Sequence, residues 1–269
     1  MTPTLAERVA AAVLRPTPPV GPRRRLWLVG TGPFHDAAEL GTFPFKGSGQ
    51  SAAVVAGEGH ARLGELLGPQ DACVLVGGDD ALRSYVERVA AGVGATVLPL
   101  DPGVVADDDP TTAFAVAGAG VLALCRVLGA PGVTEEDLLV LPSLVAEAAL
   151  ASTERRSDGL GQRVIVMGSG PAAVTARHLA VALRRTDPSI VVEGLDAQDV
   201  AGAAADQLGP GTTVVALDPD RDPEAPVARV AKMARVEGAT VIDIPGEPTL
   251  TPVAAQLPLA LTALAVLVR

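Results

Sequence analysis

The sequence predicts an α/β fold made of two tandem units, each a parallel sheet flanked by helices. Three observations lead to this prediction. Short apolar runs alternate with helical stretches, the same order of elements occurs twice, and both halves open on a strand that ends in a Gly-x-Gly-Pro turn. Strands that alternate with helices favour a parallel sheet with right-handed crossovers, and near-continuous apolar strands favour a sheet covered on both faces.

The opening turn is the first feature that the two halves share. Leu26-Trp27-Leu28-Val29 runs into Gly30-Thr31-Gly32-Pro33, and Val164-Ile165-Val166-Met167 runs into Gly168-Ser169-Gly170-Pro171. Glycine permits a tight turn, and proline suits the first position of a helix. Each half is therefore expected to begin with a buried strand, a tight turn and a helix.

The later elements follow in the same order in both halves. A second strand precedes a helical stretch, a third strand ends in an acidic turn, an amphipathic helix leads to Gly-Ala-Thr-Val, and an uncharged helix closes the copy. The matched segments are 52–56 with 190–192, 60–67 with 197–208, 73–76 with 213–217, 81–91 with 226–236, 94–97 with 238–241, and 111–125 with 254–268. Several matches in one order indicate a duplicated unit.

This pattern divides the chain into three expected segments. Residues 1–133 form the first unit with an N-terminal helix, residues 134–162 form a connecting helix and linker, and residues 163–269 form the second unit. The connecting helix begins at Thr134-Glu135-Glu136-Asp137, where threonine can cap the helix and the acids suit its positive end.

Composition argues against several classes of partner. The net charge of −10 disfavours nucleic acid and anionic membrane surfaces. The two cysteines lie in apolar runs and predict buried free thiols, and with only three histidines no structural metal site is expected. The first residues lack the apolar core of a signal peptide, which predicts a cytoplasmic protein. The 21 uncharged residues 248–268 include three prolines, so a buried helix is expected there rather than a membrane span.

The repeated motifs resemble a double sugar isomerase (SIS) domain, and in particular the bifunctional phosphoglucose/phosphomannose isomerases. In the first half the resemblance rests on Gly30-Thr31-Gly32 and Asp109-Pro110-Thr111-Thr112. In the second half it rests on Gly168-Ser169-Gly170, Val174-Thr175-Ala176-Arg177 and residues 214–230. The resemblance covers residues 24–269. It implies two SIS-like units with five-stranded parallel sheets, a sugar-phosphate substrate, aldose–ketose isomerisation and no cofactor.

The sequence departs from this family where the family holds its substrate. In SIS proteins the turn after the third strand is rich in serine and threonine, but here it is Gly77-Gly78-Asp79-Asp80 in one half and Asp218-Pro219-Asp220 in the other. Two like unit charges at ~4 Å cost about 4 kcal/mol near a protein surface, so carboxylates there oppose a phosphate. The family's catalytic glutamate and histidine align with Arg184 and Asp196.

The candidate binding residues lie in the two glycine turns and in two other places. Amides at a helix N-terminus bind anions, although an ordinary strand-to-helix turn has the same sequence. A loop with a lysine and two serines is either a second phosphate site or a surface loop, and an arginine on the second helix either binds an anion or is merely exposed. The candidates are Gly30, Thr31, Gly32, Lys46, Ser48, Ser51, Gly168, Ser169, Gly170 and Arg177.

Two residues are candidates for catalysis. Glu193 is expected at the end of a strand, 25 residues after Gly168. There it is either an acid for proton transfer or the ribose-binding acid of a dinucleotide fingerprint. His60 lies at a predicted loop-to-helix junction, and a histidine side chain suits an acid or base near neutral pH, although a solvated or capping histidine is the alternative.

Three functions stay open from the sequence. The first is a sugar-phosphate-binding SIS protein that isomerises phosphosugars of the glucose/mannose-6-phosphate type. The second is a catalytically degenerate relative that serves regulation or assembly, which the acidic turns favour. The third is a dinucleotide-binding oxidoreductase that uses the second glycine turn. The two apolar closing helices either pair in a homodimer or pack against their own sheets.

Overall fold

The computed structural model describes residues 3–15, 25–46, 52–55, 62–101, 103, 108–151, 160–203, 208–218 and 224–268. The chain divides into two compact units, Met1–Ser143 and Leu144–Arg269. This division falls inside the helix that the sequence predicted as a connection, and each unit contains its own sheet.

Unit 1 contains a four-stranded parallel sheet with the order β2-β1-β3-β4. Its elements in chain order are α1 (Leu5–Leu14), β1 (Leu26–Val29), α2 (Pro33–Leu40), a 3-10 helix (Phe43–Phe45), β2 (Ala52–Val55), α3 (Leu63–Leu66), β3 (Ala72–Val76), α4 (Asp80–Val93), β4 (Thr96–Leu100) and α5 (Pro110–Val127), followed by α6 (Glu135–Ala151) across the division. β1 and β3 are fully buried.

Unit 2 contains a second four-stranded parallel sheet, with the order β6-β5-β7-β8. Its elements are β5 (Arg163–Gly168), α7 (Pro171–Thr186), β6 (Val191–Asp196), α8 (Ala197–Ala203), β7 (Thr212–Leu217), α9 (Pro226–Val236), β8 (Thr240–Ile244) and α10 (Gln256–Leu267). Both sheets have four described strands, whereas the family resemblance implied five.

The sheet of unit 2 is covered by helices on both faces. Val164 and Val166 of β5 pack in one core cluster with side chains of α7 and α10. Ile165 and Met167 pack in another with side chains of α8 and α9. Successive side chains of a strand point to opposite faces, so β5 must be apolar throughout. The predicted α/β architecture with helices around parallel sheets is confirmed.

The closing helices are buried inside their own units. α5 is the one helix in the described part of the chain that is long and apolar enough to cross a membrane, and 78% of that window is buried within the structure. It packs against α1 and α2, while α10 packs against α7. Packing within each unit therefore accounts for the apolar character of both helices, and the homodimer stays a prediction.

Two predictions about individual residues are confirmed. Cys73 and Cys125 are buried free thiols. Thr134 caps α6, since its Oγ1 accepts a hydrogen bond of 3.0 Å from the amide of Asp137. The carboxylate of Asp137 in turn accepts a hydrogen bond of 2.7 Å from the amide of Thr134. These reciprocal bonds define the start of the helix.

Candidate functional site

The two Gly-x-Gly-Pro turns have nearly the same backbone geometry. Gly32 has φ 54° and ψ −129°, and Gly170 has φ 59° and ψ −122°. The first glycine of each turn packs closely on the helix that follows, because a Cβ on Gly30 or Gly168 would lie 2.6 or 2.4 Å from its backbone. Left-handed φ at one position and close packing at the other explain both glycines.

The helices after these turns begin without a side-chain cap among the described residues. Neither Gly32 nor Gly170 offers a side chain to the first amides of α2 and α7. By contrast, Thr4, Asp79 and Asp109 cap α1, α4 and α5. The first amides of both helices donate to carbonyls of their own turns, as Phe34 does to Thr31 and Ala172 to Ser169. The positive end of the helix dipole is therefore what each turn offers to an anion.

In unit 2 the glycine turn lines a cleft of ≈ 390 Å³. The cleft lies where β5 and β7 end side by side, and the strand order reverses between these two strands. Ligands of open α/β sheets bind at such a switch point. The cleft is at the small end of the range for ligand sites, which suits a ligand of metabolite size.

Four parts of the chain supply polar groups to this cleft: the turn, the end of β7, the segment before α9 and the start of α10. The Oγ of Ser169 is buried and has no hydrogen-bond partner among the described residues. The side-chain amide of Gln256 is held at both ends, since its oxygen accepts from Thr175 Oγ1 at 2.9 Å and its nitrogen donates to the carbonyl of Pro252 at 2.8 Å. Gln256 therefore holds the wall of the cleft in place, and the buried hydroxyl of Ser169 lies in that wall.

Asp218 gives the cleft a fixed carboxylate. Its φ of 53° is left-handed, and within the described ranges it is the one non-glycine residue with positive φ. Aspartate adopts this conformation more readily than most residues, at a cost of about 1–3 kcal/mol. Its Oδ1 accepts a hydrogen bond of 3.1 Å from the amide of Gly246. Glu224, which is exposed, also lines the cleft and adds a second acid.

The acidic turn of unit 1 has a different role. The carboxylate of Asp79 accepts a hydrogen bond of 2.7 Å from the amide of Leu82 and so caps α4. Asp80 is the first residue of that helix, where an acid suits the positive end of the dipole. The sequence interpretation treated both acidic turns alike, but the acids of unit 1 serve the helix, whereas Asp218 faces the cleft.

The prediction that Glu193 ends a strand is wrong. β6 continues to Asp196, and it is Asp196 that pairs with Gly168, while Glu193 pairs with Ile165. At about 3.3 Å per residue, Glu193 lies roughly 10 Å before the edge that carries the cleft. Its carboxylate instead forms an ion pair with Arg163 at 3.0 Å. The dinucleotide hypothesis thereby loses the acid on which it relied.

The two positions aligned with the family's catalytic pair make structural contacts. Arg184 donates from Nε to the carbonyl of Val192 at 2.7 Å, which ties α7 to β6. Asp196 accepts a hydrogen bond of 2.9 Å from the amide of Gln198 at the start of α8. Both contacts fit a role in holding secondary structure together.

Two predicted binding residues lie away from the glycine turns. Lys46 follows the 3-10 helix beyond the far end of α2, and its ammonium lies 3.8 Å from the centre of the Phe43 ring. Arg177 is exposed and lies about 9 Å along α7 from the turn; it is not among the residues that line the cleft. Ser48, Ser51 and His60 lie outside the described residues.

Unit 1 also contains a cavity, of ≈ 210 Å³, but not at its glycine turn. It lies among α1, β4 and α5 and includes Arg15 and Asp101, which form an ion pair at 3.0 Å. The pKa of Asp101 is lowered, chiefly by a hydrogen bond from the amide of Gly103 and also by Arg15. Burial of the carboxylate opposes this shift. Where the chain is described, no group of three or more His, Cys, Asp or Glu residues could hold a metal ion.

Sequence reasoning missed the roles of two cleft residues, Gln256 and Asp218, and of Phe34 in unit 1. The sequence placed Gln256 only within an apolar helix. It placed Asp218 in an acidic turn, but its left-handed backbone conformation could not be predicted from the residue types around it. Phe34, the residue after Pro33, was seen only as part of a helix. Alignment of Gly-x-Gly-Pro-Phe with Gly-x-Gly-Pro-Ala in the other half was the signal that could have found it.

Comparison with known proteins adds evidence from structure only. No family model matches the chain, and no curated protein matches it. Among solved structures, it resembles the C-terminal domain of glucosamine-fructose-6-phosphate aminotransferase from Francisella tularensis, with a TM-score of 0.68, 12% identity and coverage of 98% of this chain and 93% of the other.

Two further solved structures resemble the chain to a similar degree. Glucosamine-6-phosphate deaminase from Thermotoga maritima matches with a TM-score of 0.67 and 13% identity over 90% of this chain and 83% of the other. Tagatose-6-phosphate ketose/aldose isomerase from Escherichia coli matches with a TM-score of 0.63 and 14% identity over 90% and 81%. With its parallel sheets and glycine turns, the chain shares its α/β fold with these three solved structures.

Proposed function

We propose that the chain binds a sugar phosphate in the cleft of unit 2 and acts on it as an SIS-type phosphosugar isomerase. The cleft at the switch point of the sheet, lined by the start of α7 and by Asp218, is the observation that carries the proposal. The similar structures include proteins named for phosphorylated sugars, which supports this class of ligand.

The two sides of the cleft suit the two parts of such a ligand. The 16 residues of α7 direct a positive dipole end at the turn, and Ser169 adds a buried hydroxyl with no partner among the described residues. A phosphate is expected there. The carboxylate of Asp218 accepts hydrogen bonds, so it is expected to bind sugar hydroxyls at the other side.

Isomerisation of the glucose/mannose-6-phosphate type requires a base that moves a proton between adjacent carbons. Of the described residues that line the cleft, Asp218 and Glu224 are titratable. Asp218 is the better candidate because Gly246 fixes its carboxylate, whereas Glu224 is exposed. The proposal therefore gives Asp218 the role that the sequence had assigned to Glu193 or His60.

A second function, binding without catalysis, is favoured by the contacts of the two residues that align with the family's catalytic pair. Arg184 and Asp196 replace the family's pair and hold secondary structure, and Glu193 is engaged by Arg163. A protein that binds a sugar phosphate without converting it, for regulation or assembly, fits these contacts. The two functions differ in turnover and not in binding.

Calorimetric titration with glucose-, mannose- and fructose-6-phosphate tests binding, and NMR of the same mixtures tests interconversion. At least one of the three is expected to bind more tightly than its free sugar. Ser169→Ala is expected to weaken that binding about tenfold, because it removes the buried hydroxyl. Ser189→Ala is the matched control, since Ser189 is exposed and bonds Asp187.

The outcomes separate the two functions. Binding with interconversion supports the isomerase, and binding without interconversion supports the degenerate relative. If none of the three phosphates binds, or if Ser189→Ala weakens binding as much as Ser169→Ala, the proposed site is wrong.

A further inference from the structure

Phe34 and Ala172 occupy the same position in their units. Each is the second residue of its helix, after Pro33 or Pro171. The amide of Phe34 donates to the carbonyl of Thr31 at 3.1 Å, and the amide of Ala172 donates to that of Ser169 at 3.2 Å. The two units therefore present a phenyl ring and a methyl group at one position.

Gly77 and Asp218 form a second matched pair. Gly77 follows β3 and Asp218 follows β7, the third strand of each unit, and their φ values are 63° and 53°. The amide of Gly77 donates to the carbonyl of Leu100 at 3.1 Å, and the amide of Asp218 donates to that of Ile244 at 2.8 Å. Unit 1 thus has glycine where unit 2 has a carboxylate in a conformation that favours glycine.

Within each unit, the residue after the helix-starting proline lies near the residue after the third strand, at the switch point of the sheet. In unit 1 the ring of Phe34 lies against Gly77, because a Cβ built on Gly77 would be 2.7 Å from the ring. In unit 2 the matched residues Ala172 and Asp218 both line the open cleft. In unit 1 a phenyl ring thus stands at the position where unit 2 has the methyl group that lines its cleft.

We propose that the chain has its ligand site in unit 2 alone, closed in unit 1 by Phe34, and that Asp218 selects a monophosphate whose other end carries hydrogen-bond donors. This inference rests on the proposed function. It specifies which unit binds the ligand and which sugar phosphates the site accepts.

The charge of the cleft sets this preference. One phosphate is expected at the start of α7, but the carboxylates of Asp218 and Glu224 also line the cleft. A second phosphate near these carboxylates would be repelled, whereas hydroxyl or ammonium groups donate to a carboxylate. Fructose-6-phosphate and glucosamine-6-phosphate supply these two kinds of donor, and fructose-1,6-bisphosphate supplies the repelled anion.

A pair of exchanged side chains tests which unit binds. Ala172→Phe is expected to reduce the affinity for fructose-6-phosphate or glucosamine-6-phosphate at least tenfold, by placing a ring in the cleft. Phe34→Ala, the matched change in unit 1, is expected to leave affinity within about twofold. Circular dichroism and thermal unfolding establish whether each variant folds. The relative affinity of the two probes shows whether hydroxyl or ammonium donors are preferred.

Asp218→Gly tests whether Asp218 selects monophosphates. This test stands even if the Ala172→Phe variant does not fold. Glycine suits the left-handed φ of this position, so the variant is expected to fold. Its affinity for fructose-1,6-bisphosphate relative to fructose-6-phosphate is expected to rise at least tenfold.

The outcomes distinguish this inference from the proposed function. If the wild-type protein binds none of the sugar phosphates, both are wrong. If the wild type binds but Phe34→Ala abolishes binding, or a folded Ala172→Phe binds normally, the assignment to unit 2 is overturned while sugar-phosphate binding stands. An unchanged ratio in Asp218→Gly overturns the selection by Asp218.

Discussion

The backbone amide of Gly246 holds the carboxylate of Asp218 with a hydrogen bond of 3.1 Å. A Cβ on Gly246 would lie 2.6–2.7 Å from the carboxyl atoms of Asp218. Glycine at position 246 therefore allows the backbone to approach the acid closely enough to fix it. This contact determines where the carboxylate stands in the cleft of unit 2.

Gly246→Ala is expected to displace this carboxylate with little effect on stability. The atoms that must move belong to the end of a side chain, so we expect the free energy of unfolding to change by less than about 1 kcal/mol. Affinity for the preferred sugar phosphate is expected to fall several-fold in calorimetric titration. Gly209→Ala is the control, since a Cβ there meets no atom within 4 Å. Equal affinities of the two variants would show that the position of the carboxylate is unimportant.

Glu193→Gln is expected to affect stability and not ligand binding. The ion pair with Arg163 has side chains that are 31% and 35% exposed, so solvent screening limits its contribution to about 0.2–1 kcal/mol. Chemical denaturation should show this loss, and the difference from wild type should shrink in 1 M salt. A fall in turnover or affinity of a hundredfold would restore Glu193 to the active site.

The thiol of Cys73 is expected to make the protein less stable at high pH. Burial raises the pKa of Cys73 from 9.0 to about 12. The thiol ionises in the unfolded chain before it can ionise in the folded one, so its contribution is fully present below about pH 9. It is lost between about pH 9 and 12, with a slope of up to about 1.4 kcal/mol per pH unit.

Denaturation of wild type and Cys73→Ala across this pH range measures that contribution. Other groups also titrate there, but they are common to both proteins, and so the difference between the two isolates the thiol. Wild type should lose stability relative to the variant as the pH rises. Parallel curves would contradict the burial of this thiol.

Asp71→Ala is expected to destabilise unit 1. The buried carboxylate accepts hydrogen bonds of 3.0 Å from the indole of Trp27 and from the amide of Gly68. Each donor left without a partner costs about 1–3 kcal/mol. Trp27 is the only tryptophan of the chain, so its fluorescence reports unfolding of unit 1 directly. Asp71→Asn keeps an acceptor oxygen and should lose less; equal losses would mean that these hydrogen bonds contribute little.

Much of the fold was predictable because the signal was local. Residues 26–29 and 226–236 coincide with β1 and α9, and both glycine turns have the predicted form. Apolar runs, prolines at helix starts and glycines at tight turns each depend on neighbouring residues. The ends of edge strands were less predictable: Gly194-Leu195-Asp196 has no clear strand pattern, yet pairing with β5 extends β6 through it.

The candidate site was only partly predictable because its key contacts join distant residues. The turn at Ser169 and Gly170 was found from its sequence. The contrast between Asp79, which caps a helix, and Asp218, which lines the cleft, depends on backbone conformation and on Gly246. Likewise, nothing near Phe34 in sequence indicates that its ring lies against Gly77.

The location of the ligand is the central claim, and backbone amide NMR during titration with fructose-6-phosphate or glucosamine-6-phosphate tests it most directly. The account predicts that the shift changes concentrate at Ser169, Gly170, Ala172 and Asp218, while the matched amides of Thr31, Gly32, Phe34 and Gly77 stay unchanged. Shift changes confined to the turn of unit 1, or none at either turn under saturating ligand, would contradict it.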